Sequence, residues 1–321
     1  MTKRNHYLIP FALALLTLIL VAGCQPKEST NTLQAGEGFA EVEGGKIWYK
    51  VSGSGDAVPL VLLHGGPGVG SIYLKPFEDL SSDRPVIRYD QLGCGKSDYI
   101  SDTTLFTVDR FVGELEALRN HLGISKWHIM GHSWGTMLAA AYYEAHQDAV
   151  ASLTFASPCL VSQDWMSSTR ELLESFPDSL KQAINEAEIS GDFSNPGYET
   201  AMNMFYENYV WGANPPAADF DSTITTMNNE IYGYMWGASE FNVTGTLETF
   251  DATETLKKIN VPTLFTAGEF DEIKESYVRK WADMVPGSKV EIIDNAVHLT
   301  TWGNPEKTIA VQRTFLNQLE E

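Results

Sequence analysis

The sequence predicts an α/β fold, a mostly parallel sheet with helices on both faces, interrupted late in the chain by a helical insertion. Two observations carry this. Apolar, β-rich runs alternate with helical patterns over most of the chain, as expected of strands joined by crossover helices. The alternation stops between about Cys159 and Phe250, where the pattern turns helical, and resumes afterwards. With 321 residues, 43% apolar and 20% charged, the chain can bury a sizeable core as one large domain or two modest ones. No internal repeat is visible.

The amino terminus reads as an address. Lys3 and Arg4 precede an apolar run from Tyr7 to Ala22, broken by Pro10, which is short for a membrane span and suited to a signal-peptide core. The run ends Leu20-Val21-Ala22-Gly23-Cys24, which resembles the bacterial lipobox. That resemblance implies cleavage before Cys24, a diacylglycerol on its sulfur, and an exported, membrane-anchored lipoprotein of the cell envelope. An ordinary signal peptide or an uncleaved anchor ending in Cys is the alternative. Gln25, rather than Asp, points to the outer membrane where the cell has one. Residues 25–36 are polar and aperiodic, as suits a flexible tether.

Beyond the tether, Phe39 to Val42 and Lys46 to Val51 flank Gly44-Gly45 and predict a β-hairpin. Further strands are expected at Val58 to Leu63, Pro85 to Tyr89, Lys126 to Met130, Ala151 to Ala156, Val261 to Ala267 and Lys289 to Ile293. Between them, Phe111, Leu115, Leu118 and Leu122 recur at helical spacing and predict a helix over Val108 to Leu122. Another is expected from Thr136 to Ala145. The resulting division is a signal peptide over 1–23, a tether over 24–36, a core over 37–158 and 251–321, and a helical cap over 159–250.

The cap segment carries 14 acids against two bases, and nine aromatics fall in the 42 residues from Thr200 to Phe241. A lid with an acidic outside and an aromatic underside would explain both; an acidic solvated face on an ordinary helical subdomain explains the charge equally well. The net charge of −20 repels phosphate backbones and argues against nucleic acid as a partner. Past Cys24 only Cys94 and Cys159 remain; one disulfide is possible, and two free thiols are as consistent with the sequence.

The chemistry centres on Gly131-His132-Ser133-Trp134-Gly135, between a predicted strand and a predicted helix. A sharp strand-to-helix turn lifts a serine hydroxyl above the sheet edge, and glycines flank it because little else fits. A serine nucleophile needs a base, and the base an orienting carboxylate. Both are expected in loops after later strands, in the order acid then histidine. The strand ending at Ala267 runs into Gly268-Glu269-Phe270-Asp271-Glu272, and that ending at Ile293 runs into Asp294-Asn295-Ala296-Val297-His298. Ser133, Asp271 and His298 therefore form the expected triad, with Asp294, Glu269 and Glu272 as alternative acids. Of the other histidines, His6 falls in the signal, His128 in a strand, His121 and His146 on helices, and His132 in the elbow itself.

The oxyanion is expected to meet the backbone amide of Trp134 and one from His64-Gly65-Gly66-Pro67-Gly68, where glycines allow close approach. Gly66 is the preferred donor and Gly65 the second; His64 reads as a structural hydrogen-bonder. Gly95-Lys96-Ser97 imitates the end of a phosphate loop, but Asp90 stands where the first glycine is required and no helical pattern follows. No metal or cofactor is called for by this constellation.

Taken together, His64-Gly65-Gly66-Pro67-Gly68, Tyr89-Asp90-Gln91-Leu92-Gly93-Cys94-Gly95-Lys96-Ser97 and Gly131-His132-Ser133-Trp134-Gly135 resemble the proline iminopeptidases of the α/β-hydrolase fold, particularly the tricorn-interacting aminopeptidase branch. The similarity covers nearly everything after the tether. It implies a Ser133, Asp271, His298 triad and a pair of carboxylates, Glu240 from the cap and Glu272 beside the catalytic acid, for the substrate's α-ammonium. It implies short peptides or amino-acid amides with a free amino terminus as substrates. His132 stands where the family often has a small residue, and export differs from its cytosolic members. The leading expectation is a serine aminopeptidase releasing an amino-terminal proline or another small apolar residue through an acyl-enzyme. The alternatives are an esterase, amidase or lactonase acting on a neutral acyl group, and a lipid-anchored binding protein without activity. Ser133 argues against halide-displacing and epoxide-opening chemistry, which needs Asp at the elbow.

Overall fold

A computed structural model describes residues 1, 2 and 32–320; the expected signal peptide, Cys24 and most of the tether lie outside the described residues. Among the described residues no helix is long and apolar enough to cross a membrane. From residue 32 onward the chain forms one compact unit, insertion included.

Its centre is an eight-stranded sheet in the order β1-β2-β4-β3-β5-β6-β7-β8. β1 (Gly36–Val42) and β2 (Gly45–Ser52) form the expected hairpin, and β2 lies antiparallel to β4 (Val86–Tyr89). All remaining pairings, through β3 (Leu60–Leu63), β5 (Trp127–Ser133), β6 (Val150–Pro158), β7 (Thr263–Gly268) and β8 (Lys289–Ile293), are parallel. Four strands, β3, β4, β5 and β7, start one or two residues later than the sequence suggests, and at β3 and β4 a proline is the cause. Pro59 and Pro85 have no N–H to give a ladder, so they sit at strand entrances and only accept, from His128 and Leu60 respectively. β5 runs three residues further than expected, because Gly131 and His132 stay paired with Phe155 and Ala156 of β6. The strand therefore delivers Ser133 directly to its carboxyl end.

Helix α1 (Val108–His121) is capped by the Thr107 hydroxyl, which accepts from Arg110 N–H, and buries Phe111, Leu115 and Leu118 as their spacing requires. Helix α2 (Trp134–Ala145) follows Ser133 without a connecting residue and is buried almost all round, from Trp134 to Tyr143. Cys94 and Cys159 are both free and buried, and burial pushes their thiols well above the ordinary range, so neither is poised to react.

The insertion leaves after β6 and returns ahead of β7. Its two ends are stitched together: Val161 bridges Asp251, Ser162 N–H donates to Phe250 at 3.0 Å, and Ala252 N–H to Leu160 at 2.9 Å. Between these points run α3 (Ser162–Leu173), α4 (Asp178–Ser190), α5 (Pro196–Phe205), a π-helical turn (Tyr206–Val210), α6 (Ala217–Thr226) and α7 (Asn229–Met235). The aromatics of this stretch divide between two tasks. Phe205 and Phe241 pack edge to face at 4.8 Å inside a small core of the insertion's own, while Tyr206, Trp211, Phe220 and Tyr232 line a cavity against the sheet edge. Short helices α8 (Thr253–Leu256), α9 (Glu275–Ala282), α10 (Thr300–Gly303) and α11 (Pro305–Asn317) complete the second part of the core.

Candidate active site

The turn at the end of β5 is strained by design. Ser133 holds φ 54° and ψ −124°, a conformation side-chain-bearing residues rarely adopt. Its neighbours are glycines for a steric reason: a Cβ on Gly131 would lie 2.2 Å from Gly135 O, and one on Gly135 2.2 Å from Leu63 O. Thr136 fixes the turn, donating to Ser133 O at 2.7 Å and accepting from Cys159 N–H at 2.9 Å.

Asp271 follows β7 and accepts from Gly268 N–H at 3.0 Å, Ile273 N–H at 3.1 Å and His298 Nδ1 at 2.8 Å. Burial acts to raise its pKa, but the facing imidazole and these donors outweigh it and hold the carboxyl below its usual value. Of the alternative acids, Glu269 is exposed and takes Asn295 N–H at 2.9 Å, and Asp294 is exposed beside Asn295. Glu272 does reach the histidine, on the other nitrogen: its Oε1 lies 3.4 Å from His298 Nε2. No hydrogen bond joins Nε2 to the Ser133 hydroxyl; catalytic contacts of this kind often tighten only in the substrate complex.

His298 is held by its backbone from both sides. Its carbonyl accepts from Ser157 Oγ at 2.9 Å and His132 Nε2 at 3.0 Å. Its N–H donates to Tyr209 O at 2.8 Å, and Leu299 N–H donates to Val210 O at 2.8 Å, so the π-helical turn of the insertion grips the histidine loop. His132 carries the chain of contacts further. Its Nδ1 accepts from Tyr73 OH at 2.9 Å, and that phenol oxygen accepts from Gly65 N–H at 2.6 Å. Burial, and then the neighbouring His298, lower the His132 pKa to about 3, which keeps it neutral with its one proton on Nε2. A continuous bridge thus ties the His64 to Gly68 loop to His298. Sequence reasoning identified neither Tyr73 nor Ser157, and saw in His132 only a departure from the family.

The same bridge separates the two candidate glycines. The Gly65 amide is committed to Tyr73, which leaves Gly66 as the loop's candidate donor, with the Trp134 amide at the first turn of α2, where helical N–H groups start without an intrahelical partner. His64 is fully buried and structural: Nε2 accepts from Gln91 N–H at 3.0 Å and Nδ1 faces Gly65 O at 2.9 Å. The Tyr89 to Ser97 motif serves this loop as well. Asp90 accepts from Ser71 N–H at 2.8 Å and Lys96 N–H at 2.8 Å, and Gln91 accepts from Trp134 Nε1 at 2.9 Å. Gly95 is needed there because a Cβ would strike the Asp90 carboxylate at 2.2 Å.

Glu240 and Glu272 meet in the cavity, 8% and 3% exposed. Glu240 accepts from Tyr232 OH at 2.6 Å and Tyr206 OH at 3.0 Å. Glu272 Oε2 is buried without any hydrogen-bond partner among the described residues. Burial raises both carboxyls, and Glu272 is pushed up further by Glu240 and Asp271. The cavity measures about 400 Å³ and also presents Ser133, His298, Gly65 and Gly66; among the described residues lining it, Glu240 and Glu272 are the only acidic side chains and no Lys or Arg is present. The arrangement sets a pair of buried carboxyls beside a serine hydroxyl and an imidazole.

Comparison with known proteins bears on the fold and the family. Residues 58–305 match the family model described as the alpha/beta hydrolase fold. The chain is 38% identical over 292 residues to a proline iminopeptidase of Heyndrickxia coagulans, covering 88% of this chain and 99% of that one. It is 36% identical to a proline iminopeptidase of Saccharolobus solfataricus, over 88% and 93% of the two chains. Among solved structures, a proline iminopeptidase of Mycobacterium smegmatis superposes with a TM-score of 0.82 at 29% identity, over 89% of this chain and 99% of that one.

Proposed function

The chain belongs to the proline iminopeptidase family of α/β-hydrolases, and from that premise we propose that it is a serine aminopeptidase in which Ser133, His298 and Asp271 carry the chemistry and Glu240 and Glu272 hold the substrate's amino terminus. One observation carries the assignment of the amine site: two buried carboxyls share a cavity whose described lining holds no Lys or Arg, and Glu272 Oε2 has no hydrogen-bond partner among the described residues. An uncompensated pair of this kind is costly unless a ligand supplies the charge. A protonated α-amine does so and offers hydrogens to both. Because Glu272 lies within 3.4 Å of His298 Nε2, the amine and the scissile carbonyl are held about one residue apart, which makes the enzyme an exopeptidase.

In the proposed reaction the ammonium draws Glu272 away from Nε2 and frees that nitrogen to accept the serine proton. Ser133 Oγ adds to the carbonyl carbon of the first residue while its proton passes to His298. The Gly66 and Trp134 amides hold the oxyanion, and Asp271 stabilises the imidazolium. The C–N bond then breaks as Nε2 gives its proton to the departing nitrogen, leaving the first residue esterified to Ser133. Water adds to the ester, giving one proton to His298. Collapse breaks the C–Oγ bond, the proton returns to Oγ, and the free amino acid departs.

The decisive measurement compares kcat/KM for proline p-nitroanilide, its N-acetylated form and p-nitrophenyl acetate, with Ser133→Ala as control. The free-amine anilide should exceed the acetylated one by about a hundredfold or more, since a desolvated charge-assisted contact discriminates on that scale. Indifference to acetylation, with only the ester turned over, would replace this reading by an esterase. Export and lipidation at Cys24 are a separate proposal, supported by Lys3, Arg4, the apolar run and the Leu20 to Cys24 ending. The mass of the membrane-extracted protein tests it: a diacyl increment lost in Cys24→Ser is expected, and an unlipidated mature mass would overturn it.

A further inference from the structure

Neither the ammonium nor the scissile carbonyl needs the far end of the cavity, yet that end is built from an organised apolar surface. On α6 and its cap, Phe220, Thr223, Ile224 and Met227 recur at spacings of three, one and three, a single helical face, and all four line the cavity. Of α6 itself only Thr223 is buried, and Ile224 is 49% exposed, so this face is not spent on the protein core. Phe220 continues the surface on both sides. It meets Trp211 edge to face at 5.2 Å and Trp302 at 6.2 Å, and Trp211 lies 4.4 Å from Tyr206, whose hydroxyl reaches Glu240. The wall thus starts at the amine socket and ends at Trp302 on α10, immediately beyond the histidine that protonates the departing nitrogen.

We propose that this wall is the subsite for the residue following the scissile bond, and that it selects substrates with an apolar or aromatic second residue and no free carboxylate on it. The inference rests on the aminopeptidase reading. The first residue is confined between Glu272 and Ser133, so a wall running past His298 is left for the leaving portion of the peptide. Charge sets the second half of the selection. A dipeptide acid would bring its carboxylate into a space whose charged groups are Glu240 and Glu272, with no Lys or Arg among the described lining residues to receive it. An amide or a longer peptide carries no such charge at that point.

The test uses the full-length protein in detergent and compares kcat/KM for Pro-Phe-NH2, Pro-Gly-NH2 and the free acid Pro-Phe, with N-acetyl-Pro-Phe-NH2 alongside. The Phe amide should exceed the Gly amide by about 10- to 100-fold, the range for one large apolar group in a pocket. The amide should exceed the acid by about tenfold or more, with the gap narrowing as salt is added. Phe220→Ala and Trp211→Ala should bring the Phe-to-Gly ratio towards one. Ile224→Lys, at a position exposed enough to accept the change, should raise the acid relative to the amide by placing a cation at the wall. If these variants instead shift the choice between Pro and Ala as first residue and leave the Phe-to-Gly ratio intact, the wall serves the first residue and the proposal is wrong. Equal cleavage of the acetylated peptide would overturn the aminopeptidase reading beneath it, and is recognisable because it does not depend on the second residue.

Discussion

The two ends of the cavity obey opposite rules. At the catalytic end the groups that place Ser133, Asp271 and His298 are hydrogen-bonded many times over: Asp271 accepts from three donors and the His298 carbonyl from two. At the amine end, two carboxylates are buried together and one oxygen has no partner among the described residues. In the proposed reaction the first end is pre-organised for a charge that develops during the chemistry, and the second is left unsatisfied for a charge that arrives with the substrate. On that proposal, specificity for a free amine resides where the fold is least comfortable.

The largest expected effect removes the discomfort and the function with it. Glu272→Gln keeps the shape and deletes the charge, so kcat/KM for proline p-nitroanilide should fall by about 10²- to 10³-fold, while p-nitrophenyl acetate changes by less than about tenfold. Equal losses on both substrates would mean that Glu272 serves the histidine rather than the amine. Glu240→Gln should follow the same pattern more weakly, since Tyr206 and Tyr232 still engage the side chain.

A second effect distinguishes the ends by pH. The amine end needs its carboxylates ionised, and burial has raised both, so kcat/KM for free-amine substrates should drop on the acid side while pH is still above the ordinary carboxylate range. The acetate ester makes no use of that charge and should lack this component of the profile. Superimposable acid limbs for the two substrates would show that the pair does not bind the amine.

Much of the catalytic end was legible in the sequence, because its signals are local. A glycine-flanked serine between strand and helix, and loops after two later strands, each reveal their chemistry within about five residues. The brace behind them was not. Tyr73 meets His132 across 59 positions and Ser157 meets the His298 carbonyl across 141, and nothing in the surrounding residues marks either contact. Glu240 was found by resemblance alone; its neighbours Trp236 and Phe241 hint at burial, but one carboxylate among the many of the acidic insertion looks like the rest. The aromatic richness of that segment was visible, whereas its division between an internal core and the cavity wall depends on which way α6 faces.

The brace supplies a third, smaller effect, confined to the catalytic end. Tyr73→Phe removes the phenol oxygen that joins Gly65 N–H to His132 Nδ1. The oxyanion loop should lose alignment, lowering kcat by about 10- to 100-fold with little change in KM, on esters and anilides alike. A loss expressed in KM and limited to free-amine substrates would move Tyr73 to the other end of the cavity.

The smallest effect concerns stability, and its sign opposes that on activity. The folded protein raises the Glu272 pKa above its unfolded value, so the native state retains a proton that the unfolded chain gives up. Stability from this group is therefore present at pH below the unfolded carboxylate value, is lost as pH rises towards the folded one, and stays lost above it. Glu272→Gln cannot lose that proton. At pH 8 it should be more stable than the wild type by roughly 1–2 kcal/mol, because the amide is as polar but carries no buried charge, or about 2–8 °C in Tm. Near pH 4 the difference should shrink towards zero, because wild-type Glu272 is then protonated as well. Melting curves of both proteins at the two pH values, without substrate, measure this directly. A variant less stable at pH 8 would show that the approach of Glu272 Oε1 to His298 Nε2 stabilises the fold by more than burial of the charge costs, and the contrast between the two ends of the cavity would fail.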